Sequence, residues 1–241
     1  MAADGERLAV RTQRLLAELG LKPRRERGQN FLIDPTVAES VAAVVCGEAR
    51  PQVLEIGAGL GALTGALAAR ASAVVALELQ PQFVGALSQL LAGTPCVRVI
   101  AGDALKADWG ALVGGSPAEW HFAGNLPYYA ASAIIVRALE AQPGFARLVV
   151  MVQKEVGDRL TARPGDEQYG SLSVFTAYHV TEARVELRVP RGAFYPQPKV
   201  DSVVLSLTPR GAARGDVLDE ALLFATIRAG FGQRRKQFAN T

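Results

Sequence analysis

The segment Asn125-Leu126-Pro127-Tyr128 combines side chains that suit a flat, polar ligand. An asparagine amide both accepts and donates hydrogen bonds. The proline biases Leu126 toward an extended backbone, which leaves its carbonyl free as an acceptor. A tyrosine ring offers a face for stacking. The segment therefore predicts a nucleobase site. The alternative is a capped turn, in which Asn125 begins a helix and Tyr128 belongs to the core.

A glycine-rich turn lies upstream, at Gly57-Ala58-Gly59-Leu60-Gly61. It follows an apolar run at Gln52–Ile56, a predicted strand, and precedes a predicted helix over residues 62–70. Glycines at such a turn let the backbone come close to a ligand. The spacing G-x-G-x-G differs from the G-x-G-x-x-G of dinucleotide-binding folds, and G-x-x-x-x-G-K-[ST] does not occur. The turn therefore indicates a ligand other than a dinucleotide or a nucleoside triphosphate.

Two acids end the next predicted strands. Glu78 follows the apolar run Val74–Leu77, one helix and one strand after the glycine turn. Its carboxylate can accept hydrogen bonds from both hydroxyls of a ribose, although it could also be a surface acid. Asp103 follows the run Val97–Ala101 and could accept from the exocyclic amino group of an adenine. Ligands of open α/β sheets bind outside the carboxyl ends of the strands. We therefore expect the glycine turn, both acids and Asn125 to share one sheet edge.

The elements that must position these residues alternate between strands and helices. Strands predicted near residues 53, 74, 97, 120 and 147 favour a parallel sheet covered on both faces. Further elements are predicted at both ends: an amphipathic helix over Arg7–Leu19, a basic arm over residues 22–33, strands at Val185–Val189 and Ser202–Thr208 joined by a loop, a linker at Gly211–Gly215, and a helix over Leu218–Ala229.

Composition indicates a globular enzyme. The chain has 241 residues, of which 49% are hydrophobic and 20% charged, enough for one large domain and a small addition. It contains neither an apolar run of membrane-spanning length nor the core of a signal peptide. We expect Cys46 and Cys96 to be buried, reduced thiols and His121 and His179 to be core residues. These features predict a cytoplasmic, monomeric protein that binds no membrane and no metal.

Positive charge is concentrated in two segments. Lys22–Arg27 has four basic residues and one acid, and residues 221–241 have four basic residues and no acid. The net charge of the chain is +3, so the remainder is net acidic. Such concentration is typical of a surface that binds a nucleic-acid backbone, and the alternative is a pair of solvated ends. The candidate RNA-binding residues are Arg24, Arg25, Arg27, Arg234, Arg235 and Lys236.

The motifs resemble a known family. E-I-G-A-G-L-G at 55–61, the acid Glu78, G-D-A at 102–104 and N-L-P-Y at 125–128 are similar to methyltransferases that use S-adenosylmethionine. G-Q-N-F-L at 28–32, F-Y-P-Q-P-K-V-D-S at 194–202 and G-Q-R-R-K at 232–236 resemble the ribosomal RNA adenine dimethylases. The matches span residues 28–236. The chain departs from the family pattern at Gln80, where a second acid is common, which makes the expected ribose site less acidic.

The resemblance implies an activity and a fold. The activity is dimethylation of N6 on two adjacent adenosines near the 3′ end of 16S rRNA, in the small ribosomal subunit or its precursor, with S-adenosyl-L-methionine as the cofactor. The fold is α/β: a Rossmann-like, seven-stranded, mostly parallel sheet with helices on both faces. The implied domains are an N-terminal helix and arm at 1–33, a catalytic domain at 34–209, and a linker with the beginning of a helical RNA-binding domain at 210–241.

The resemblance also implies roles for individual residues. The catalytic set is Asn125, Leu126, Pro127, Tyr128 and Phe194, with Tyr128 and Phe194 stacking on the two faces of the target base. The cofactor set is Gln29, Asn30, Leu32, Gly57, Gly59, Glu78, Asp103, Ala104 and Asn125.

Three alternatives from other classes stay open. One is an antibiotic-resistance-type 23S rRNA adenine methyltransferase with similar motifs. A second is a non-catalytic ribosome-assembly factor on the same fold. A third is a dinucleotide oxidoreductase, which the glycine spacing disfavours. DNA adenine and protein glutamine methylases favour N-P-P-Y, so Leu126 argues against them.

Overall fold

A seven-stranded sheet forms the centre of the molecule. The computed structural model describes residues 7–23, 29–141, 144–211 and 217–232. Within them the strands are β1 (Phe31–Leu32), β2 (Gln52–Ile56), β3 (Ala73–Glu78), β4 (Val97–Ala101), β5 (Trp120–Asn125), β6 (Arg147–Gln153), β7 (Val180–Val189), β8 (Phe194–Tyr195) and β9 (Ser202–Pro209). The helices are α1 (Leu8–Glu18), α2 (Pro35–Cys46), α3 (Ala62–Ala68), α4 (Pro81–Leu90), α5 (Trp109–Val113), α6 (Ala131–Glu140), α7 (Lys154–Thr161), α8 (Ser171–His179) and α9 (Glu220–Gly232).

The strand order of the large sheet is β4-β3-β2-β5-β6-β9-β7. The first five strands are parallel, and β9 runs antiparallel to both of its neighbours. The order reverses between β2 and β5, and ligands of such sheets bind at the carboxyl ends beside this reversal. The predicted α/β class with a mostly parallel, seven-stranded sheet is confirmed.

At the centre of the sheet both faces are buried, as the apolar runs predict. Along β6, Leu148 and Val150 belong to one core cluster, whereas Val149 and Met151 belong to the other. All four are fully buried. Successive side chains of a strand point to opposite faces, so a strand covered on both sides needs a continuous apolar sequence.

Local sequence sets the ends of α2. The Asp34 carboxylate accepts hydrogen bonds from the backbone N–H groups of Thr36 (2.9 Å) and Val37 (3.3 Å), and Pro35 occupies the first turn. An N-cap aspartate followed by proline is a strong helix start. Gly47, with φ 56°, ends the helix.

The N-terminal region is more structured than the sequence predicts. Helix α1 buries Leu16 in a cluster with Phe31, Leu60 and Phe83, which attaches it to the glycine turn and to α4. The predicted basic arm contains a short strand, because β1 pairs antiparallel with β8, with Phe31 opposite Tyr195. The expectation of a plain arm at 22–33 and of a simple loop around Phe194 is therefore wrong at these residues.

Two further differences concern the helices and the thiols. The sequence patterns do not predict α7 and α8. The predicted C-terminal helix is present as α9, whose Phe224 packs on Phe175 of α8, while the Tyr178 hydroxyl donates to the Glu220 carboxylate at 2.7 Å. Cys46 is buried as expected, but Cys96 is only half-buried; both are free thiols. Across the described ranges, no helix has the length and apolar character needed to span a membrane.

Candidate active site and cofactor cavity

One cavity collects every residue that was predicted to bind the cofactor. It has a volume of about 200 Å³ and lies at the carboxyl ends of β2, β3, β4 and β5. The predicted residues that line it are Gln29, Asn30, Leu32, Gly57, Gly59, Glu78, Asp103, Ala104 and Asn125. The structure thus brings together residues that are far apart in the sequence, and their role in binding stays a prediction.

The glycine turn forms the floor beside β5. Gly57 has φ 74° and Gly59 has φ 56°, left-handed values that other residues rarely adopt. A Cβ atom on Gly57 would lie 3.5 Å from the Asn125 carbonyl oxygen, and one on Gly59 would lie 3.5 Å from the Phe31 ring. The left-handed backbone, and not a lack of space for a Cβ atom, therefore favours glycine at both positions.

Glu78 ties the glycine turn to the end of β3. Its Oε2 accepts a hydrogen bond from the Gly59 N–H at 2.8 Å, and its Oε1 accepts from the Gln80 N–H at 2.9 Å. Burial raises the pKa of the Glu78 carboxyl, and these backbone hydrogen bonds oppose the rise. A carboxylate oxygen accepts more than one hydrogen bond, so each oxygen keeps capacity for a ribose hydroxyl.

The loop after β4 is fixed by a hydrogen bond within its own turn and by Arg137 of α6. The Asp103 Oδ1 accepts from the Leu105 N–H at 2.9 Å, which fixes the carboxylate within its turn. The Arg137 guanidinium of α6 donates to the carbonyls of Ala104 and Ala107. The same guanidinium lies 4.1 Å from the centroid of the Trp109 ring, a cation–π arrangement. Arg137 therefore joins the Asp103 loop to the helix that follows the N-L-P-Y segment.

The Asn125 amide has a defined orientation. Its Nδ2 donates to the backbone carbonyl of Asn30 at 3.1 Å. A carbonyl accepts hydrogen bonds and donates none, so the amide nitrogen must face it. The Asn125 Oδ1 is consequently turned away from Asn30 and can accept a hydrogen bond from a ligand.

The other residues of the segment are fixed by the elements around them. Leu126 is buried, and its N–H donates to the Met151 carbonyl of β6 at 3.1 Å. The Pro127 carbonyl accepts from the Ala130 N–H at 2.9 Å in the turn that leads to α6. The half-buried Tyr128 shares a hydrogen bond of 3.2 Å with the Ser202 hydroxyl, and burial raises the pKa of its phenol.

Phe194 is placed differently from the expectation. Its side chain is 2% exposed and belongs to the core cluster that contains Leu32 and Ala193. Neighbouring residues of a strand point to opposite sides, so the pairing of β8 with β1 turns Phe194 inward and leaves Tyr195 36% exposed. In this structure neither face of the Phe194 ring is open to a ligand. Its stacking role stays a prediction, and it requires the two-stranded ribbon formed by β1 and β8 to repack.

Glu55 is a cavity residue that the sequence analysis did not select. Its carboxyl is 1% exposed and lines the cavity. Burial raises its pKa to about 7, and the Thr64 hydroxyl acts in the opposite direction. The Thr64 hydroxyl lies near the Glu55 carboxyl. Within the described ranges, however, neither this hydroxyl nor the Glu55 Oε2 has a hydrogen-bond partner of good geometry. The sequence signal that could have identified Glu55 is its position as an acid inside the apolar run of β2.

Glu55 predicts a pH-dependent stability. Its pKa is about 7 in the folded chain against 4.5 ordinarily, so folding favours the protonated carboxyl. The contribution of Glu55 to stability is therefore greatest below pH 4.5, falls as the pH rises, and reaches its lower limit above pH 7. We expect Glu55→Gln to be more stable than the wild type at about pH 8, by up to about 3 kcal/mol, and to gain little at about pH 5.

Urea unfolding at both pH values measures this difference, with Glu140→Gln as the matched exposed control. Parallel stability curves for the wild type and Glu55→Gln across this range would contradict the raised pKa.

The charge of the cavity suits a cation. Its lining includes three acids, Glu55, Glu78 and Asp103, and no described lysine, arginine or histidine. S-adenosylmethionine carries a sulfonium, an ammonium and one carboxylate, which make its net charge positive, together with a ribose and an adenine. The acids and the glycine turn fit this chemistry. In the described part of the chain, no three His, Cys, Asp or Glu side chains are grouped as metal ligands.

Comparisons with known proteins find similar sequences. Residues 20–241 match the family described as "Ribosomal RNA adenine dimethylase". The chain is 46% identical over 237 residues to "Ribosomal RNA small subunit methyltransferase A" of Moorella thermoacetica. The aligned region covers 95% of this chain and 82% of the relative. It is 44% identical over 223 residues to the protein of the same name in Geobacter sulfurreducens, covering 92% of this chain and 80% of the relative.

Two solved structures are similar as well. A dimethyladenosine transferase from Plasmodium falciparum aligns with a TM-score of 0.69 and 26% identity, covering 85% of this chain and 71% of that protein. The 23S rRNA methyltransferase ErmE aligns with a TM-score of 0.71 and 29% identity, covering 87% of this chain and 82% of that protein. Both structures support the methyltransferase fold.

Proposed function

Since this chain belongs to the ribosomal RNA adenine dimethylase family, we propose that it transfers methyl groups from S-adenosyl-L-methionine to N6 of two adjacent adenosines near the 3′ end of 16S rRNA. The observation that carries the proposal is the oriented Asn125 amide, held by the Asn30 carbonyl at 3.1 Å beside a cavity lined by acids. The relatives that are 44–46% identical are named for the small ribosomal subunit.

The cofactor would be held by residues from four strand ends. Glu78 would accept from the ribose hydroxyls, Asp103 would accept from the adenine amino group, and the cavity wall at Glu55 would face positive charge. When bound, S-adenosylmethionine supplies an electrophilic methyl group on its sulfonium. The task of the protein is then to present the adenine nitrogen in line with that methyl and to keep water away.

Asn125 and Leu126 would act on the target nitrogen. The N6 lone pair of adenine is delocalised into the ring, so the amino group is a poor nucleophile. Hydrogen bonds from N6–H to the Asn125 Oδ1 and to the Leu126 carbonyl favour a pyramidal nitrogen, and preorganised acceptors are most effective where charge develops. Amide and carbonyl oxygens do not take up protons at neutral pH, so the proton leaves the product nitrogen to water.

The target base must leave its stack before it reaches Asn125. Unstacking costs a few kcal/mol, and stacking on an aromatic side chain returns about 1–3 kcal/mol. Tyr128 supplies one ring, held in place by the hydrogen bond to Ser202. The proposed phosphate contacts, Arg24, Arg25, Arg27, Arg234, Arg235 and Lys236, lie outside the described residues and stay predictions.

A 23S rRNA methyltransferase is the second candidate, because ErmE shares the fold and 29% of the sequence. Methyl incorporation from labelled S-adenosylmethionine into purified small and large subunits, both from cells that lack the modification, separates the candidates. We expect dimethylated adenosines in the small subunit only. Methylation of the large subunit would favour the second candidate, and no transfer to either subunit would favour a non-catalytic assembly factor.

We further propose that the protein acts as a cytoplasmic monomer.

A further inference from the structure

A second cavity opens beside the cofactor cavity. It has a volume of about 570 Å³ and lies between the chain that follows α1 and the first turn of α4. Its lining includes Leu21, Lys22 and Pro23 on one side and Pro81 and Gln82 on the other. It shares five residues with the cofactor cavity: Gln29, Leu79, Gln80, Phe83 and Tyr129.

The two cavities differ in charge. Among the described residues, the cofactor cavity is lined by three acids and no base. Those that line the second cavity include one cation, Lys22, and no acid, and its other polar side chains are Gln29, Gln80, Gln82 and Tyr129. The first arrangement suits a cationic ligand, whereas the second suits an anionic ligand with polar edges, such as a nucleotide.

Tyr129 lies in the wall that separates the two cavities. Its side chain is 64% exposed although it is aromatic, and Leu79, which also lines both cavities, is 51% exposed. Tyr129 directly follows Tyr128, so its backbone is one residue away from the segment proposed to hold the target base. An exposed ring of this kind provides a stacking platform for an unpaired base.

We propose that the second cavity receives an unpaired nucleotide adjacent to the target adenosine, with its base against Tyr129 and its phosphate near Lys22. This inference rests on the proposed function. When one of two adjacent adenosines reacts, its neighbour must be accommodated beside the cofactor cavity. The second cavity shares Tyr129 and four other lining residues with that cavity, and its described lining carries the opposite charge.

A double-mutant cycle between protein and RNA tests the contact. Small subunits are reconstituted with 16S rRNA that lacks the base on the 5′ or the 3′ side of the target adenosine. Single-turnover methylation is then measured below RNA saturation for the wild type and for Tyr129→Ala. S-adenosylmethionine is kept saturating, because Tyr129 also lines the cofactor cavity. We expect base removal on one side to slow the wild type about tenfold or more.

The decisive result is non-additivity. Tyr129→Ala should slow methylation of intact RNA by a similar factor. In this variant, removal of the neighbouring base should cause almost no further decrease in the methylation rate. Tyr129→Leu, which lacks a ring but keeps bulk, should behave alike, and Tyr129→Phe should resemble the wild type. Leu222→Ala, an equally exposed position on α9, is the control that should leave the base-removal effect intact.

Two failures are distinguishable. Additive effects of base removal and Tyr129→Ala on both sides of the target would overturn this inference while leaving the proposed function intact. A wild-type protein that methylates no intact small subunits would remove the proposed function itself.

Discussion

Asn125→Ala is expected to slow methyl transfer to small subunits by about 100- to 1000-fold, the usual cost of losing one preorganised hydrogen bond in a transition state. The lost acceptor is the Oδ1, which the contact between Nδ2 and the Asn30 carbonyl turns away from that residue. Because the acceptor acts mainly when N6 becomes pyramidal, S-adenosylhomocysteine should lose only a small part of its affinity, through the cavity contact that Asn125 is also predicted to make. Single-turnover methylation and calorimetry measure the two effects separately.

Tyr128 provides the comparison for this prediction. Tyr128→Ala should weaken RNA capture as well as the rate, since the base loses a stacking face. Tyr128→Phe should be mild, because only the hydrogen bond to Ser202 is lost. A fully active Asn125→Ala protein would remove the proposed role of the amide. An inactive Tyr128→Phe protein would mean that the hydroxyl, not the ring, is required.

Glu78→Ala is expected to weaken S-adenosylhomocysteine binding by about 100-fold or more. Two ribose hydroxyls would lose a charged acceptor, and each such hydrogen bond contributes about 1.5–3 kcal/mol, where 1.4 kcal/mol is tenfold in affinity. The substitution also releases the Gly59 and Gln80 N–H groups, which the carboxylate holds at 2.8 and 2.9 Å. Calorimetry gives the affinity, and thermal unfolding reports the structural part of the effect.

A ligand analogue isolates the direct contact. S-adenosylhomocysteine without the two ribose hydroxyls should bind the wild type weakly, and Glu78→Ala should reduce this weak binding little further. Glu140→Ala, at an exposed acid, should change neither affinity. Tight NAD binding together with no affinity for S-adenosylmethionine would overturn the cofactor assignment.

The sequence predicts the sheet and its functional edge because the parallel strands leave clear patterns. The runs that became β2, β3 and β6 are largely apolar and are buried on both faces, whereas β4 at the sheet edge is not. A glycine, an acid or an amide stands at or directly after the end of each strand from β2 to β6. Strand ends of a parallel sheet meet at one edge, so the cofactor residues of four strands could be predicted to lie together, and they line one cavity.

The β1–β8 ribbon could not be predicted in this way. A strand of two residues has no periodicity, and its orientation depends on a partner elsewhere in the chain. For the same reason the sequence gives no indication that Phe194 points inward and Tyr195 outward. Glu55 was visible as an acid within an apolar run, but its buried carboxyl and raised pKa depend on the packing around β2.

The pairing of β1 with β8 has a consequence for the order of folding. Strands β2 to β6 can assemble before β8 is made, because all of their pairings with one another lie between residues 52 and 151. The ribbon joins Phe31 to Tyr195, and the Asn30 carbonyl reaches its partner 95 residues later, at Asn125. Such non-local contacts form late, since they close long loops. We therefore infer that a nascent chain can pair strands β2 to β6 before its N-terminal segment is fastened over the site, and that a translation product ending before β8 would lack this fastening and also β9, the strand that joins β6 to β7.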